Sequence, residues 1–486
     1  MSLRTKASKA VLWTFVNQFG VQIINFIVLL ILTRILSPKE IGLIAMIGIL
    51  VSVGNILINS GISQSILRTP SSNEKDYSAL FHFNLIISLV VYILIFFLAP
   101  VFAAFYNLPI LVSIIRIYCM TFVLNSLSAV QIVRLSTVMD FRTQALVSIP
   151  CTVLSGSIGV ILAFNGYGVW SLVWGPIVYS ITTSIIYWYT SEWRPNFKLE
   201  LNVIKPHWKF GRKLMYAGLI DAFFVNFNSS IIGKKFGIYQ AGLFYRADSI
   251  KQFPLSNIAL IINKIAYPLL APIQDDSKRL FNVFRKTFQL VAFITFPILI
   301  FSAVMAEPIF RFLFTEKWLE SVKYFQLLCV SGLLYPIHSL NLTILNIKGY
   351  SGKFFTLQLI KTSVLLLTII ISLNWGITGL LYGLIIESII SFFINTYYMN
   401  EITEYGTSKQ LKDIFLPLIL SLLLGIIAFF IDNQLKSQDY NDTIRIFISG
   451  FVSYSVYFLL CNYFFKSIVL ELKNVILNNF KLKHDN

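Results

Sequence analysis

Ionisable side chains lie inside long apolar runs of this sequence, where a charge is costly and usually has a function. The densest group is Arg246, Asp248 and Lys251, in the run 241–264. On a regular helix Asp248 and Lys251 share one face because they are three residues apart, whereas Arg246 points roughly 140° away from Lys251. Such groups either bind a charged ligand or pair with one another to hold helices together. Arg246 and Lys251 are the first candidates for ligand binding.

Four further charges interrupt apolar runs: Arg116, Asp221, Lys361 and Glu387. Asp221 lies near the middle of its run and is a possible partner for one of the two basic residues just named. Lys361 and Glu387 lie at similar depths in consecutive runs, which favours an ion pair; the alternative is a Glu387 carboxylate linked to a proton or cation. Arg116 lies roughly five residues inside its run, where it either binds a ligand or extends its side chain to the membrane surface.

The elements that carry these charges are membrane-spanning helices. Of the 486 residues, 56% are hydrophobic and only 13% are charged, and the mean hydropathy is +0.75, as is typical of polytopic membrane proteins. The net charge of +17 lies in short loops, as the positive-inside rule produces, so nucleic acid is excluded as a partner. The four cysteines stand singly in apolar runs without histidine clusters, so neither a metal, nor a disulfide, nor a cofactor is expected.

Apolar runs of about 20 residues, enough to cross a hydrocarbon core of about 30 Å, predict the helices. With a cytoplasmic N-terminus, 26 of the 39 Lys and Arg residues fall on the cytoplasmic side and seven fall outside. This distribution predicts that both termini are cytoplasmic. The fourteen predicted spans are 12–35, 41–60, 79–100, 111–134, 144–164, 168–190, 212–233, 241–264, 284–306, 320–345, 353–373, 376–399, 412–432 and 443–465.

A hairpin is repeated along the chain: "ILTRILSPKEIGL" at 31–43 returns as "IIGKKFGIYQAGL" at 231–243. An offset of 200 superposes Arg34 on Lys234 and Gly42 on Gly242. Six helices separate the copies, and because six is even, both halves enter the membrane in the same direction as a parallel repeat. The alternative is an ordinary helix bundle in which the match is a coincidence.

The repeat predicts an all-α fold with three parts. Helices 1–6 form an N-terminal lobe over residues 1–200, and helices 7–12 form a C-terminal lobe over 201–400. The basic loop 191–211 links the two lobes. A last helix pair and a cytoplasmic tail take up 401–486.

Short motifs around these hairpins match one transporter family. They are Leu36, Pro38 and Gly42 in "TRILSPKEIGLIAM" (33–46), "GISQSILR" (61–68), and Gly242, Ala247 and Pro254 in "GIYQAGLFYRADSIKQFP" (237–254). On these residues the chain resembles the polysaccharide-export branch, or Wzx-type flippases, of the multidrug/oligosaccharidyl-lipid/polysaccharide (MOP) superfamily. It is most similar to the exporters of teichuronic acid, colanic acid, exopolysaccharide and lipopolysaccharide O-antigen. The resemblance covers about residues 1–465.

The resemblance implies two six-helix lobes in a V shape, as in the multidrug (MATE) transporters, plus a C-terminal helix pair. The implied activity is transport rather than catalysis: a polyprenyl-diphosphate-linked oligosaccharide moves from the inner to the outer leaflet of the inner (plasma) membrane by alternating access. The expected partners are this lipid-linked substrate, membrane lipids, and a polymerase and a chain-length regulator of the same pathway.

Flipping a diphosphate-linked sugar requires groups that replace water around phosphate and around hydroxyl groups. Arginine and lysine suit phosphate, and amide side chains suit sugar hydroxyls. The residues expected to bind substrate are therefore Arg246, Lys251, Arg116, Asn25, Asn55 and Asn226. The candidates for ion coupling or charge pairing are Asp221, Asp248, Glu387 and Lys361.

Two other functions are weighed against a flippase. A cation-coupled multidrug antiporter of the same fold would need a deep carboxylate in span one or two, and neither contains Asp or Glu. A membrane glycosyltransferase or polymerase acting on the same lipid carrier needs a large outer loop or a catalytic acid at the surface, and no outer loop exceeds roughly fifteen residues. The sequence also has no G-x-x-x-x-G-K-[ST] loop, which argues against intrinsic use of ATP.

Overall fold

The protein is helical in all the parts that the computed structural model describes, which are residues 3–59, 61–69, 73–196, 203–403 and 405–464. Helices are expected here because hydrocarbon offers no hydrogen bonds, so each spanning segment must satisfy its own backbone. The α-helices are α1 Leu3–Ile35, α2 Pro38–Asn59, α3 Ile62–Arg68, α4 Glu74–Tyr106, α5 Ile110–Tyr118, α6 Met120–Thr137, α7 Phe141–Phe164, α8 Trp170–Thr190, α9 Ile204–Phe236, α10 Ile238–Leu270, α11 Ser277–Val304, α12 Ala306–Phe314, α13 Ser321–Gly332, α14 Tyr335–Ile347, α15 Ser351–Ser372, α16 Gly376–Thr403, α17 Thr407–Ser437 and α18 Asp442–Phe464.

The prediction of an all-α, polytopic membrane protein is confirmed. Within the described residues, eleven segments are long and apolar enough to cross a membrane. Two predicted spans coincide with broken helices: 111–134 is divided between α5 and α6 at Cys119, and 320–345 between α13 and α14. Helix α10 lies outside these eleven segments. Its 33 residues are long enough to cross the bilayer at 1.5 Å per residue, and the count of fourteen spans stays a prediction.

The chain divides into two compact units, residues Met1–Tyr245 and Arg246–Asn486. In the first unit α7 packs against α1 and α8, α4 packs against α6, and α9 packs against α2. In the second unit α17 packs against α11 and α18, and α16 packs against α13 and α15. The lobe boundaries at 200 and 400 and the C-terminal part 401–486 stay predictions; the predicted tail beyond 464 lies outside the described residues.

Within the first unit, the two repeated turns meet at the beginnings of α2 and α10. A Cβ atom at Gly42 would overlap the carbonyl oxygen of Ile238, and a Cβ atom at Gly242 would overlap that of Pro38. Each added Cβ would also lie 3.1 Å from the backbone nitrogen of the other glycine. The contacts are reciprocal between positions 200 apart, so the two turns are related by a local two-fold arrangement. Small residues allow such close backbone approach between membrane helices.

We expect Gly42→Ala to destabilise the protein by about 1–3 kcal/mol, because the new methyl group meets backbone atoms that cannot rotate away. The apparent melting temperature of the detergent-purified protein measures this effect. Gly352→Ala is the matched control, since Gly352 is exposed on α15 and nothing lies within 4 Å of an added Cβ. Equal melting temperatures for the two variants would contradict the close crossing.

Candidate functional site

Lys251 and Asp248 form an ion pair on α10, as their spacing predicts. The Lys251 Nζ atom lies 2.5 Å from Asp248 Oδ1. Lys251 is only 8% exposed, whereas the Asp248 side chain is 34% exposed. The aliphatic part of Lys251 lies against α13, where a Cβ added at Gly332 would be 3.4 Å from Lys251 Cδ. A buried ammonium is thus held by one carboxylate that is still partly accessible.

Arg246 begins the second unit and lies among aromatic rings. Its guanidinium carbon is 5.9 Å from the centre of the Phe314 ring and 5.7 Å from that of Trp318. Both rings are completely buried, and Arg246 itself is 4% exposed. Cation–π contacts of this kind are stronger when the cation is desolvated. Arg246 therefore joins α10 to the end of α12 and the turn that follows it.

Arg116 is half-buried on α5 and contacts α4. Its Nε atom donates a hydrogen bond to the Phe96 carbonyl oxygen at 3.3 Å, and its guanidinium carbon lies 4.0 Å from the centre of the Phe96 ring. The contact fixes the side chain near the membrane-embedded part of α4. It leaves open both roles expected from the sequence, ligand binding and extension toward the membrane surface.

The three amide candidates have different surroundings in the first unit. Asn226 Nδ2 donates to Ser52 Oγ at 3.0 Å and to the Ala222 carbonyl at 2.9 Å, so it links α9 to α2. Asn55 is half-buried one turn further along α2, whereas Asn25 is exposed on α1. The structure therefore brings Asn55 and Asn226 to one helix pair and places Asn25 on a helix that packs against α7.

Of the remaining charge candidates, Asp221 is exposed on α9 of the first unit. Lys361 on α15 and Glu387 on α16 are both half-buried, and these helices pack together. Ser391 Oγ donates a hydrogen bond of 2.5 Å to Glu387 Oε1. Among the described residues, Lys361 forms no ion pair with Glu387 within 4.0 Å, although the sequence favours one. His338 on α14, which also packs against α16, is a third titratable side chain near these helices.

A charge network that sequence reasoning missed joins α17 to α18. Arg445 donates two hydrogen bonds of 2.9 Å to Asp432 and one of 2.8 Å to Asp442. The side chain of Arg445 is 3% exposed. In the sequence, the three-residue spacing of Asp442 and Arg445 on one helix would have predicted the contact between these two side chains.

The same network continues to α12, which lies outside the membrane-spanning segments. Arg311 and Lys436 both donate to Glu307 Oε1, at 2.9 Å and 3.0 Å. Burial by itself raises the pKa of Glu307, but these two hydrogen bonds and charges lower its pKa overall. Glu307 therefore stays ionised at physiological pH.

A second network joins α17 to α11 at the opposite end of α17. Arg285 donates two hydrogen bonds of 2.7 Å to the two carboxylate oxygens of Asp413. Gln289 and the Tyr405 hydroxyl donate to the same carboxylate at 2.8 Å and 2.6 Å. With four hydrogen bonds, the Asp413 carboxylate is well compensated for its burial. Arg285 and Asp413 are 128 residues apart, and no spacing rule connects them.

A protein family and several individual proteins are similar to this chain in sequence. The model of the family described as "Polysaccharide biosynthesis protein" matches residues 31–323. Teichuronic acid biosynthesis protein TuaB of Bacillus subtilis is 23% identical over 423 residues, which cover 86% of this chain and 87% of TuaB. Succinoglycan biosynthesis transport protein ExoT of Rhizobium meliloti is 23% identical over 467 residues, which cover 92% of each chain.

Solved structures share the fold. Lipid II flippase MurJ, in an inward closed conformation, superposes with a TM-score of 0.75 over 94% of this chain and 100% of MurJ, at 15% identity. An inward-facing multidrug resistance MATE transporter of the MOP superfamily gives a TM-score of 0.61 over 80% of this chain and 96% of that one, at 13% identity. The fold is therefore the one common to MurJ and the MATE transporters.

We expect Arg445→Met to lower stability by about 3–5 kcal/mol, because it leaves the Asp432 carboxylate buried without its partner. Thermal unfolding of the purified protein measures the effect. Lys353→Met is the control: Lys353 pairs with Glu401 at 2.6 Å, but both side chains are more than 40% exposed, and such exposed pairs contribute little to stability. If both variants melt alike, Arg445 does not stabilise the helix pair.

Proposed function

We propose that this protein is a flippase for a polyprenyl-diphosphate-linked oligosaccharide. The chain belongs to the polysaccharide biosynthesis protein family, because the sequence model of that family matches residues 31–323. The substrate moves from the inner to the outer leaflet by alternating access. The names of two similar proteins support transport as the activity: ExoT is a biosynthesis transport protein and MurJ is a lipid II flippase. A fold shared with MurJ at a TM-score of 0.75 supports the same mechanism class.

The observation that carries the proposal is the ion pair of Lys251 and Asp248 on α10. Lys251 is almost completely buried, while its counter-ion is one-third exposed. A substrate diphosphate brings more negative charge than a carboxylate and replaces Asp248 as the partner of the ammonium group. Asp248 is then left without this counter-ion on α10. The substrate thereby favours one conformation of the transporter, to the extent that it binds the two conformations differently.

The other candidates take supporting roles in this proposal. Arg116 contacts the phosphate in a later stage of transport, and Arg246 adds positive charge to the same helix as Lys251. Asn25, Asn55 and Asn226 bind sugar hydroxyls in the first unit. The half-exposed amide of Asn55, beside the Asn226–Ser52 hydrogen bond, supports such a role for the α2–α9 pair.

The protein is a multi-pass membrane protein, and we place both termini on the cytoplasmic side of the inner membrane. The support is the excess of Lys and Arg in the loops that this orientation makes cytoplasmic. A polymerase that joins the flipped units, and a regulator of chain length, are the protein partners proposed for the same pathway. The multidrug antiporter is a weaker candidate because spans one and two carry no carboxylate.

Ion coupling is assigned to Glu387 of the second unit, with Lys361 as the neighbouring charge. The other candidate carboxylates for ion coupling are Asp221 and Asp248, and Asp248 is already paired with Lys251. Glu387 accepts a hydrogen bond from Ser391 on its own helix, while Lys361 and His338 lie on two other helices that pack against α16. Protonation of Glu387 would change the charge of this group by one and would favour a different packing of α15 against α16.

For the substrate site we expect Lys251→Ala to reduce surface polysaccharide about tenfold or more, since a lost hydrogen bond to a charged group costs about 1.5–3 kcal/mol. Complete lipid-linked units should accumulate on the inner leaflet. Asp248→Asn should retain transport, because the substrate replaces this carboxylate. The measurements are surface polysaccharide and the leaflet that holds the lipid-linked unit, in a deletion strain complemented by each variant at equal expression.

Three outcomes contradict parts of this proposal. Parental polysaccharide in a Lys251→Ala, Arg246→Ala double variant would remove the substrate site from α10. Loss of transport in Asp248→Asn equal to that in Lys251→Ala would mean that the ion pair itself is required. Unjoined units on the outer leaflet of the deletion strain would assign the protein a polymerase activity instead.

For ion coupling we expect Glu387→Gln to remove the response of transport to a proton gradient, because the amide cannot be protonated at physiological pH. Flipping of lipid-linked oligosaccharide in proteoliposomes, with and without the gradient, measures this response. Glu401→Gln is the matched control, since Glu401 lies on the same helix but is exposed and paired with Lys353. A gradient response that persists in Glu387→Gln would reject the assignment.

A further inference from the structure

The first unit contains a cavity of about 370 Å³ that the proposed transport mechanism does not use. It lies where α4 and α7 begin and where α6 and α8 end, so it opens at one end of these helices, where the corresponding predicted spans begin or end. Its volume is in the lower range of small-molecule sites. Its walls include Tyr77, Arg134, Glu192 and Trp193.

Arg134 lies between two aromatic rings on the cavity wall. Its guanidinium carbon is 5.5 Å from the centre of the Tyr77 ring and 5.4 Å from that of Trp193. Both rings are buried, whereas the side chain of Arg134 is 31% exposed. Both rings make cation–π contacts with the guanidinium group, and its N–H groups, which all lie in one plane, are hydrogen-bond donors for oxygen ligands.

Arg134 has further hydrogen-bond donors that are available to an anionic ligand. Toward described residues it donates one hydrogen bond, from Nη2 to Glu74 Oε1 at 3.0 Å. A guanidinium group has five N–H donors. The Glu74 side chain is 67% exposed, so this pair is a weak one that a ligand can complement or replace. A phosphate oxygen pair is the acceptor that best matches a planar guanidinium group.

The opposite charge on the cavity wall is Glu192. It is exposed in the loop that follows α8, and none of the described basic side chains lies within 4 Å of its carboxylate. Tyr187 and Thr190 also line the cavity. The cavity therefore presents a guanidinium group, an available carboxylate and aromatic rings, which together fit a ligand with one phosphate and one primary ammonium group.

We propose that this cavity binds the phosphoethanolamine headgroup of a membrane lipid. The phosphate contacts Arg134, and the ammonium group donates hydrogen bonds to Glu192 and lies near the Trp193 ring. The apolar side chains of Leu135 and Val138 at the same cavity, the latter 54% exposed, meet the first carbons of the lipid. A membrane lipid is the source because the cavity lies at the helix ends, where headgroups are abundant.

The experiment measures the melting temperature of the full-length protein in detergent with short-chain lipids of equal acyl length. We expect phosphatidylethanolamine to raise it by about 2 °C or more above the value in phosphatidylcholine or phosphatidylglycerol. Phosphatidylcholine has the same charges but no ammonium hydrogen to donate, and phosphatidylglycerol has no ammonium group. Arg134→Gln should lose the response to phosphatidylethanolamine. Glu192→Gln should reduce it to that of phosphatidylcholine.

The control variant is Arg212→Gln, which removes an exposed arginine outside the cavity and should keep the full response. Glu192 is exposed, so its variant tests the proposal even if Arg134→Gln does not fold. Equal shifts with all three lipids would overturn the proposal, and a largest shift with phosphatidylglycerol would replace it with a general anion site. A shift from free phosphoethanolamine as large as that from the lipid would show that the ligand is not lipid.

Discussion

The hydrocarbon interior of a membrane offers no hydrogen bonds to a polypeptide, and this constraint governs the architecture of the chain. Backbone groups are satisfied within helices as long as 33 residues. Charged side chains must also find partners inside the protein. Lys251 pairs with Asp248, Arg285 with Asp413, and Arg116 with a backbone carbonyl and a ring.

The same constraint explains how much the sequence predicts. Apolar runs have to be helices in a membrane, so the all-α class follows from composition and run length alone. The pairing of Asp248 with Lys251 also follows, because both residues lie on one helix and their spacing fixes their relative direction. Breaks in helices are harder to predict: the run 111–134 contains neither Gly nor Pro, yet α5 ends and α6 begins at Cys119.

Contacts between distant segments were beyond sequence reasoning. The aromatic surroundings of Arg246 come from Phe314 and Trp318, which reach it only through the packing of α12 and the following turn. The Arg285–Asp413 pair joins α11 to α17 through two residues that are 128 positions apart in the sequence. Residue type can show that a charge needs a partner, but only the tertiary structure decides which partner it has. The structure therefore defines the surroundings of the substrate-binding residues expected from the sequence, and the role of each residue stays a prediction.

The ion pairs of the second unit differ in whether they connect two helices. This difference supports a role of α10 in ligand binding. The Arg285 and Arg445 pairs each make several hydrogen bonds and each join two helices, so they hold these helices together. The Lys251–Asp248 ion pair lies within a single helix, and the aliphatic part of Lys251 contacts α13. At the equivalent positions of the first repeat, 46–51, the sequence has no charge at all, although the glycines that begin both copies cross in a reciprocal contact. A costly ion pair that lies within one helix, and that the other repeat lacks, supports the proposal that a ligand takes the place of Asp248.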